Sequence, residues 1–296
     1  MIVTDLKYHL ENRLVSKLDI MVHRITNKTS RKDAVFICEG AEGEGKTNSS
    51  EAIAYYIKYK TGRDIHMFFK LNTMIEFAKS TENKIIIWDE PSLDSLSVDW
   101  AKEINKNLLR LLMTCRKKRH FFILNFTKFY KFSEYVVVDR AIGMIHMYSR
   151  NNTLPGRFMY IKKGSLEFLY NSFRFKKKRD YKGAMAFGGS MPIVEKYMDK
   201  MGINIEGVPN CNLEQYEELK DKAIASIGQK KRDRSKHYQN LQIFKKRIGY
   251  LKCPIMNHQE LAEQLGVSRR SFYLWQKITL NIEKKPEIYP IPDSEK

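Results

Sequence analysis

The chain has 296 residues and carries 53 Lys and Arg against 34 Asp and Glu, a net charge of +19. With 43% hydrophobic and 12% aromatic residues it has enough apolar side chains for a packed core, so wholesale disorder is excluded, and its length suits about two domains. The charge draws it to polyanions, nucleic acid first, while no run reaches the ~20 apolar residues that a membrane span needs.

Leu6, Leu10, Leu14, Leu18 and Met21 recur at helical spacing and predict an amphipathic helix over 5–24, followed by a basic connector to residue 30. Ala34 to Cys38 is an apolar run of the buried-strand kind. A Gly-rich loop and a helix over 47–60 follow, with Gly62 as its stop. Further strands are predicted at 65–69, 85–88, 121–125 and 144–148. Helices are predicted at 71–79 and from 98 to 114. This alternation gives five strands in a mostly parallel sheet with helices on both faces. Residues 157–162 and 166–170, joined by Lys163-Gly164-Ser165, read as a hairpin, and 173–190 as irregular and basic. Helical segments return at 192–202 and 212–227. A basic stretch, Lys230 to Arg247, precedes a helical unit at 256–279.

The expected organisation is a helix and connector (1–30), an α/β domain (31–172), a basic linker region with helices (173–250), a small helical unit (251–282) and a loose tail (283–296). Charge follows this division: residues 171–250 hold 18 basic and 9 acidic side chains, residues 251–296 only 7 and 6. Cys38, Cys115, Cys211 and Cys253 include no CxxC pair, so neither a zinc ribbon nor a dithiol motif is visible. Few cysteines, and a start at Met1 without a secretory signal, lead us to expect a reducing, cytoplasmic setting.

Gly40-Ala41-Glu42-Gly43-Glu44-Gly45-Lys46-Thr47 matches G-x-x-x-x-G-K-[ST] between a strand and a helix. Glycines at these positions let backbone N–H groups turn toward phosphate oxygens, and the positive end of the following helix adds to the attraction. Lys46 is expected to reach the β- and γ-phosphates of ATP, Thr47 to offer its hydroxyl to Mg2+, and Glu42 and Glu44 to point outward. Asp89 and Glu90 end the strand at 85–88, at the edge where α/β sheets bind ligands. Asp89 suits Mg2+, held directly or through water. Glu90 suits the base that orients an attacking water. Asn125 ends the next strand, either as a polar group facing that water or as a turn residue.

These residues resemble the additional-strand, catalytic-glutamate division of P-loop ATPases. The resemblance implies a three-layer P-loop NTPase sandwich, ATP hydrolysis with Mg2+, and Asn125 as the sensor. Within that division, Asp89-Glu90, the long helix after them and Arg116-Lys117-Lys118-Arg119-His120 before the sensor strand are similar to the FtsK/HerA-like and zonular-occludens-toxin-like group. That group includes viral DNA-packaging and conjugation ATPases. The likeness spans about residues 31–150. It implies a homo-oligomer with an arginine finger reaching a neighbour, for which Arg116, Arg119, Arg140 and Arg150 are candidates and Arg116 or Arg140 is favoured.

Asn257 to Trp275 resembles the helix-turn-helix of resolvases and sigma factors. Leu261, Leu265, Val267, Phe272 and Trp275 form its buried set and Gly266 its turn. Ser268 then caps the second helix, where Arg269, Arg270 and Tyr273 would face DNA. A plain helical hairpin is the alternative. Lys176, Lys177, Lys178 and Arg179, interleaved with aromatic residues, form a second candidate DNA grip. The expected function is an ATP-driven DNA motor of packaging or transfer. An ATP-dependent helper for replication or transposition and a nucleotide-switched DNA-binding regulator remain as alternatives.

Overall fold

Two short strands, β1 (Ile2–Val3) and β2 (Tyr8–His9), pair antiparallel ahead of α1 (Asn12–Thr26). The helix expected from residue 5 therefore begins at Asn12. Leu6 and Leu10 are buried as the apolar stripe requires, but they do so from the turn around Lys7 (φ 50°) and from the chain before the helix. The computed structural model describes residues 2–3, 6–27, 29, 32–89, 98–150 and 154–226, all within one unit, Met1–Gly228. Glu90, the basic stretch at 230–247 and the expected helix-turn-helix with Ser268, Arg269, Arg270 and Tyr273 lie outside the described residues.

In chain order the elements are β3 (Ala34–Gly40), α2 (Lys46–Thr61), β4 (Ile65–Phe68), α3 (Leu71–Ser80), β5 (Ile85–Asp89), α4 (Val98–Thr114), β6 (Phe121–Phe126), a π-helical turn (Tyr135–Arg140), β7 (Ala141–Arg150) and β8 (Leu154–Lys162). They continue with α5 (Lys163–Lys176), α6 (Tyr181–Ala184), β9 (Met185–Ser190), α7 (Met198–Met201), β10 (Ile203–Ile205) and α8 (Leu213–Ser226). One sheet of eight strands runs in the order β10-β4-β5-β6-β3-β7-β8-β9. The pairs from β10 to β7 are parallel, and β8 and β9 add antiparallel strands at one side. The sheet is thus larger than the five strands expected. β6 lies between β3, which leads into the glycine-rich loop, and β5, which ends at Asp89.

Alternation along the strands separates two cores. Phe36, Cys38, Ile85, Ile87, Phe121 and Ile123 face one layer with α1, α2 and α8. Val35, Ile37, Ile86, Trp88, Phe122 and Leu124 face the other with α3, α4 and α5. Every side chain of β3, β5 and β6 is buried, the mark of central parallel strands. In α2, Asn48 through Ile57 are all buried, because α1 and the sheet cover it on opposite sides.

The hairpin expected at 157–170 is absent. Residues 163–176 are helix α5, since Leu166 and Leu169, three apart, both reach the core, and the antiparallel partners of β8 are β7 and β9. The run expected to be irregular to Ser190 contains β9, whose alternation is hidden by two glycines. Residue 172, the expected end of the α/β domain, lies inside α5, and β9 and β10 beyond it belong to the same sheet.

Candidate functional site

The C-terminal ends of β3, β5 and β6 converge on one edge. Gly40 ends β3 pressed against β7: a Cβ there would lie 2.6 Å from the carbonyl oxygen of Met147. Gly45 takes φ 84° as the residue before α2, a left-handed conformation open to glycine. The first turn of α2 has no acidic side chain, and no side chain caps it. Its N–H groups and helix dipole therefore remain available to an anion. Lys46 curls back over the loop, its Nζ donating to the Ala41 carbonyl at 2.6 Å. Burial lowers its pKa, opposed by Asp89, Glu39 and Glu42. Glu42 is exposed, as expected. Glu44 turns inward instead, accepting from Ser149 Oγ at 3.1 Å, because β7 rises beside the loop.

Thr47 Oγ1 lies 3.1 Å from both carboxylate oxygens of Asp89, which is 6% exposed at the end of β5. Asn125 sits opposite Asp89 in the β5–β6 register. Its Nδ2 donates to Asp89 Oδ1 at 2.8 Å and to Ser50 Oγ at 3.1 Å, while its buried Oδ1 has no partner. Of the two readings of Asn125, the side chain therefore joins the acidic site and does not serve as a turn residue. The buried amide oxygen keeps unused acceptor capacity. The uncapped helix start, the glycine-lined loop and the Thr47–Asp89 pair fit a nucleotide phosphate with Mg2+. Among the described residues no cluster of three or more His, Cys, Asp or Glu holds a metal by itself, so phosphate and water would complete the ion's shell.

Sequence reasoning missed three groups here. Tyr216, from α8, donates to Asp89 Oδ2 at 3.1 Å, and Lys220, one turn further along, donates to the Tyr216 hydroxyl at 2.9 Å. No motif includes them, and only their spacing of one helical turn could have paired them. Glu51 is fully buried, with one carboxylate oxygen unpartnered. Burial first, then the charge of Asp89, raises its pKa well above the carboxylate range. Glu39, next to the loop, accepts from Tyr181 at 2.9 Å and pairs with His146, whose ring stacks on Tyr181 at 3.7 Å.

The favoured arginine candidates, Arg116 and Arg140, lie elsewhere. Arg140 precedes β7 and pairs with Asp33, which precedes β3; the two side chains are 7% and 1% exposed. Both mark the sheet's N-terminal edge, and at about 3.3 Å per residue the length of β3 separates them from the loop by roughly 20 Å. Arg140 is thus buried in a pair with Asp33, away from its own chain's loop. Arg116 lies in the turn at 115–118 before β6, at that same far edge, so it has no access to its own chain's loop. Of Lys176, Lys177, Lys178 and Arg179, all are exposed at the end of α5; Lys177 lies over Phe173 and Arg179 over Tyr130.

No protein-family model matches the sequence, and no curated protein matches it. Among solved structures it is similar to the FIGL-1 AAA domain in complex with ADP (13% identity, TM-score 0.35, 48% of this chain and 54% of that one). It is similar to B204, the DNA-packaging ATPase from Sulfolobus Turreted Icosahedral Virus (11%, TM-score 0.30, 46% and 95%). It is also similar to the N-terminal domain of zonular occludens toxin from Neisseria meningitidis (11%, TM-score 0.35, 57% and 98%). The chain spans about half the length of the FIGL-1 domain. Likenesses this partial carry no argument about activity, which rests on the chain's own geometry.

Proposed function

We propose that this chain binds Mg·ATP at the 40–47 loop, hydrolyses it, and couples turnover to movement on DNA, as in packaging or transfer. The observation that carries the reading is the hydrogen-bonded set Thr47–Asp89–Asn125 beside the uncapped start of α2. Backbone N–H groups of the loop and Lys46 would hold the phosphates, and Lys46 would leave Ala41 to do so. Thr47 and Asp89 would hold Mg2+, which neutralises phosphate charge when bound. Asn125 would accept a hydrogen bond from the attacking water, and Glu90 would orient that water and take its proton.

Charge supports DNA as the partner. The net +19 includes the exposed run Arg174 to Arg179 on the described body, a surface suited to phosphates. The resemblance also implies a homo-oligomer in which an arginine of one subunit, Arg116 among the candidates, serves the next. The test is phosphate release with and without duplex DNA, in the wild type and in Glu90→Gln. The reading expects stimulation by DNA and loss of turnover in the variant. No stimulation together with intact turnover in Glu90→Gln overturns it.

A further inference from the structure

Helix α8 brings to the site two side chains that the phosphate-loop chemistry does not require. Tyr216 is 4% exposed and packs on Phe69, ring centroids 5.7 Å apart. The directions of its hydrogen bonds with Lys220 and Asp89 are forced. An ammonium group has only protons to give, so the Tyr216 oxygen accepts from Lys220, and its single proton goes to Asp89.

Asp89 is consequently held from both sides. Asn125 donates to Oδ1, Tyr216 donates to Oδ2, and Thr47 Oγ1 lies 3.1 Å from each oxygen. Without Tyr216, Oδ2 would keep only the Thr47 hydroxyl that it shares with Oδ1, and the carboxylate could turn more freely about its last bond. Packing of α8 on Phe69 needs only the aromatic ring. The hydroxyl, buried and aimed at a charged group, serves the carboxylate.

We propose that Tyr216, polarised by Lys220, is a positioning residue that fixes Asp89 against Thr47 and thereby sets the Mg2+ affinity of the nucleotide site. This rests on the Mg·nucleotide reading above. The residues that orient a metal-holding carboxylate typically change metal affinity by about 10- to 100-fold when lost.

The test is binding of a fluorescent ADP to the full chain, first in EDTA and then across a Mg2+ titration, for wild type, Tyr216→Phe and Lys220→Met, with thermal melts of each. In Tyr216→Phe the Mg2+ midpoint is expected to rise about 10-fold while binding in EDTA stays at the wild-type value. Lys220→Met, on a partly exposed face of α8, is expected to shift it in the same direction by less. An unchanged Mg2+ midpoint in both variants overturns the proposal. So does an equal loss with and without Mg2+ that tracks a lowered melting temperature, which marks Tyr216 as packing alone. If wild-type binding does not tighten with Mg2+ at all, the Mg·nucleotide reading fails and this inference falls with it, a result visible before any variant is made.

Discussion

Replacing Arg140 with Met separates a structural arginine from a catalytic one. The side chain is 7% exposed and its partner Asp33 is 1% exposed, so Arg140→Met leaves a carboxylate sealed in the sheet's N-terminal edge without its countercharge. Removing one partner of a buried pair costs about 3–5 kcal/mol, more than the pair itself contributes over an apolar replacement. At a urea dependence of about 2 kcal/mol per M, a loss of about 4 kcal/mol moves the unfolding midpoint down by about 2 M. Arg24, whose Nε donates to the Asp33 carbonyl at 2.8 Å, is close enough to soften that loss. Urea unfolding followed by circular dichroism reads the shift. The double variant Asp33→Asn with Arg140→Met should recover much of it, because no charge is then stranded. A wild-type midpoint combined with abolished ATP turnover would refute the reasoning and restore Arg140 as a finger.

Four further outcomes follow from the site and its supports. Asn125→Ala should cut phosphate release roughly 10- to 100-fold with little change in nucleotide affinity, since it removes one of the two donors to Asp89 Oδ1 without touching the loop. Gly40→Ala should cost about 1–3 kcal/mol in urea unfolding, because a methyl group there meets the Met147 carbonyl at 2.6 Å and must push β3 and β7 apart. Acidification should lower the urea midpoint through His120. Its Nδ1 accepts the Lys84 N–H at 3.1 Å and burial depresses its pKa, so the unfolded chain takes up the proton first. That stability is full above the ordinary histidine value of about 6.5 and declines as pH falls through it toward the lower folded value. His120→Gln should flatten the decline between neutral and mildly acidic pH. Replacing Lys176, Lys177, Lys178 and Arg179 together with Ala should weaken binding to any duplex and reduce the salt slope by up to about 0.9 for each phosphate no longer neutralised. Fluorescence anisotropy at several salt concentrations measures this.

Much of the nucleotide edge is legible in the sequence because its chemistry is local. Gly40 to Thr47 is contiguous, and the apolar runs before Asp89 and Asn125 announce buried strands whose last residues must meet at one edge. The strands beyond residue 150 are not legible, for physical reasons. In α5, Leu166-Glu167-Phe168-Leu169 satisfies a strand and a helix alike until Leu166 and Leu169 find one core. In β9 the glycines remove the side chains that would have shown a period of two. Arg140 reads as an available cation because nothing in the sequence ties it to Asp33, more than a hundred residues earlier. Tyr216, and Lys220 behind it, are silent for the same reason, since Asp89, which Tyr216 meets, lies on another element across the fold.

The central claim is that the Thr47–Asp89–Asn125 set beside Lys46 is a working ATP site. Its most direct test is phosphate release from Mg·ATP by the wild type, Lys46→Met and Asp89→Asn. The account predicts turnover by the wild type and a fall of at least about 100-fold in each variant, with folding intact by circular dichroism. Turnover that survives in both variants, or a wild type that binds no nucleotide, contradicts it.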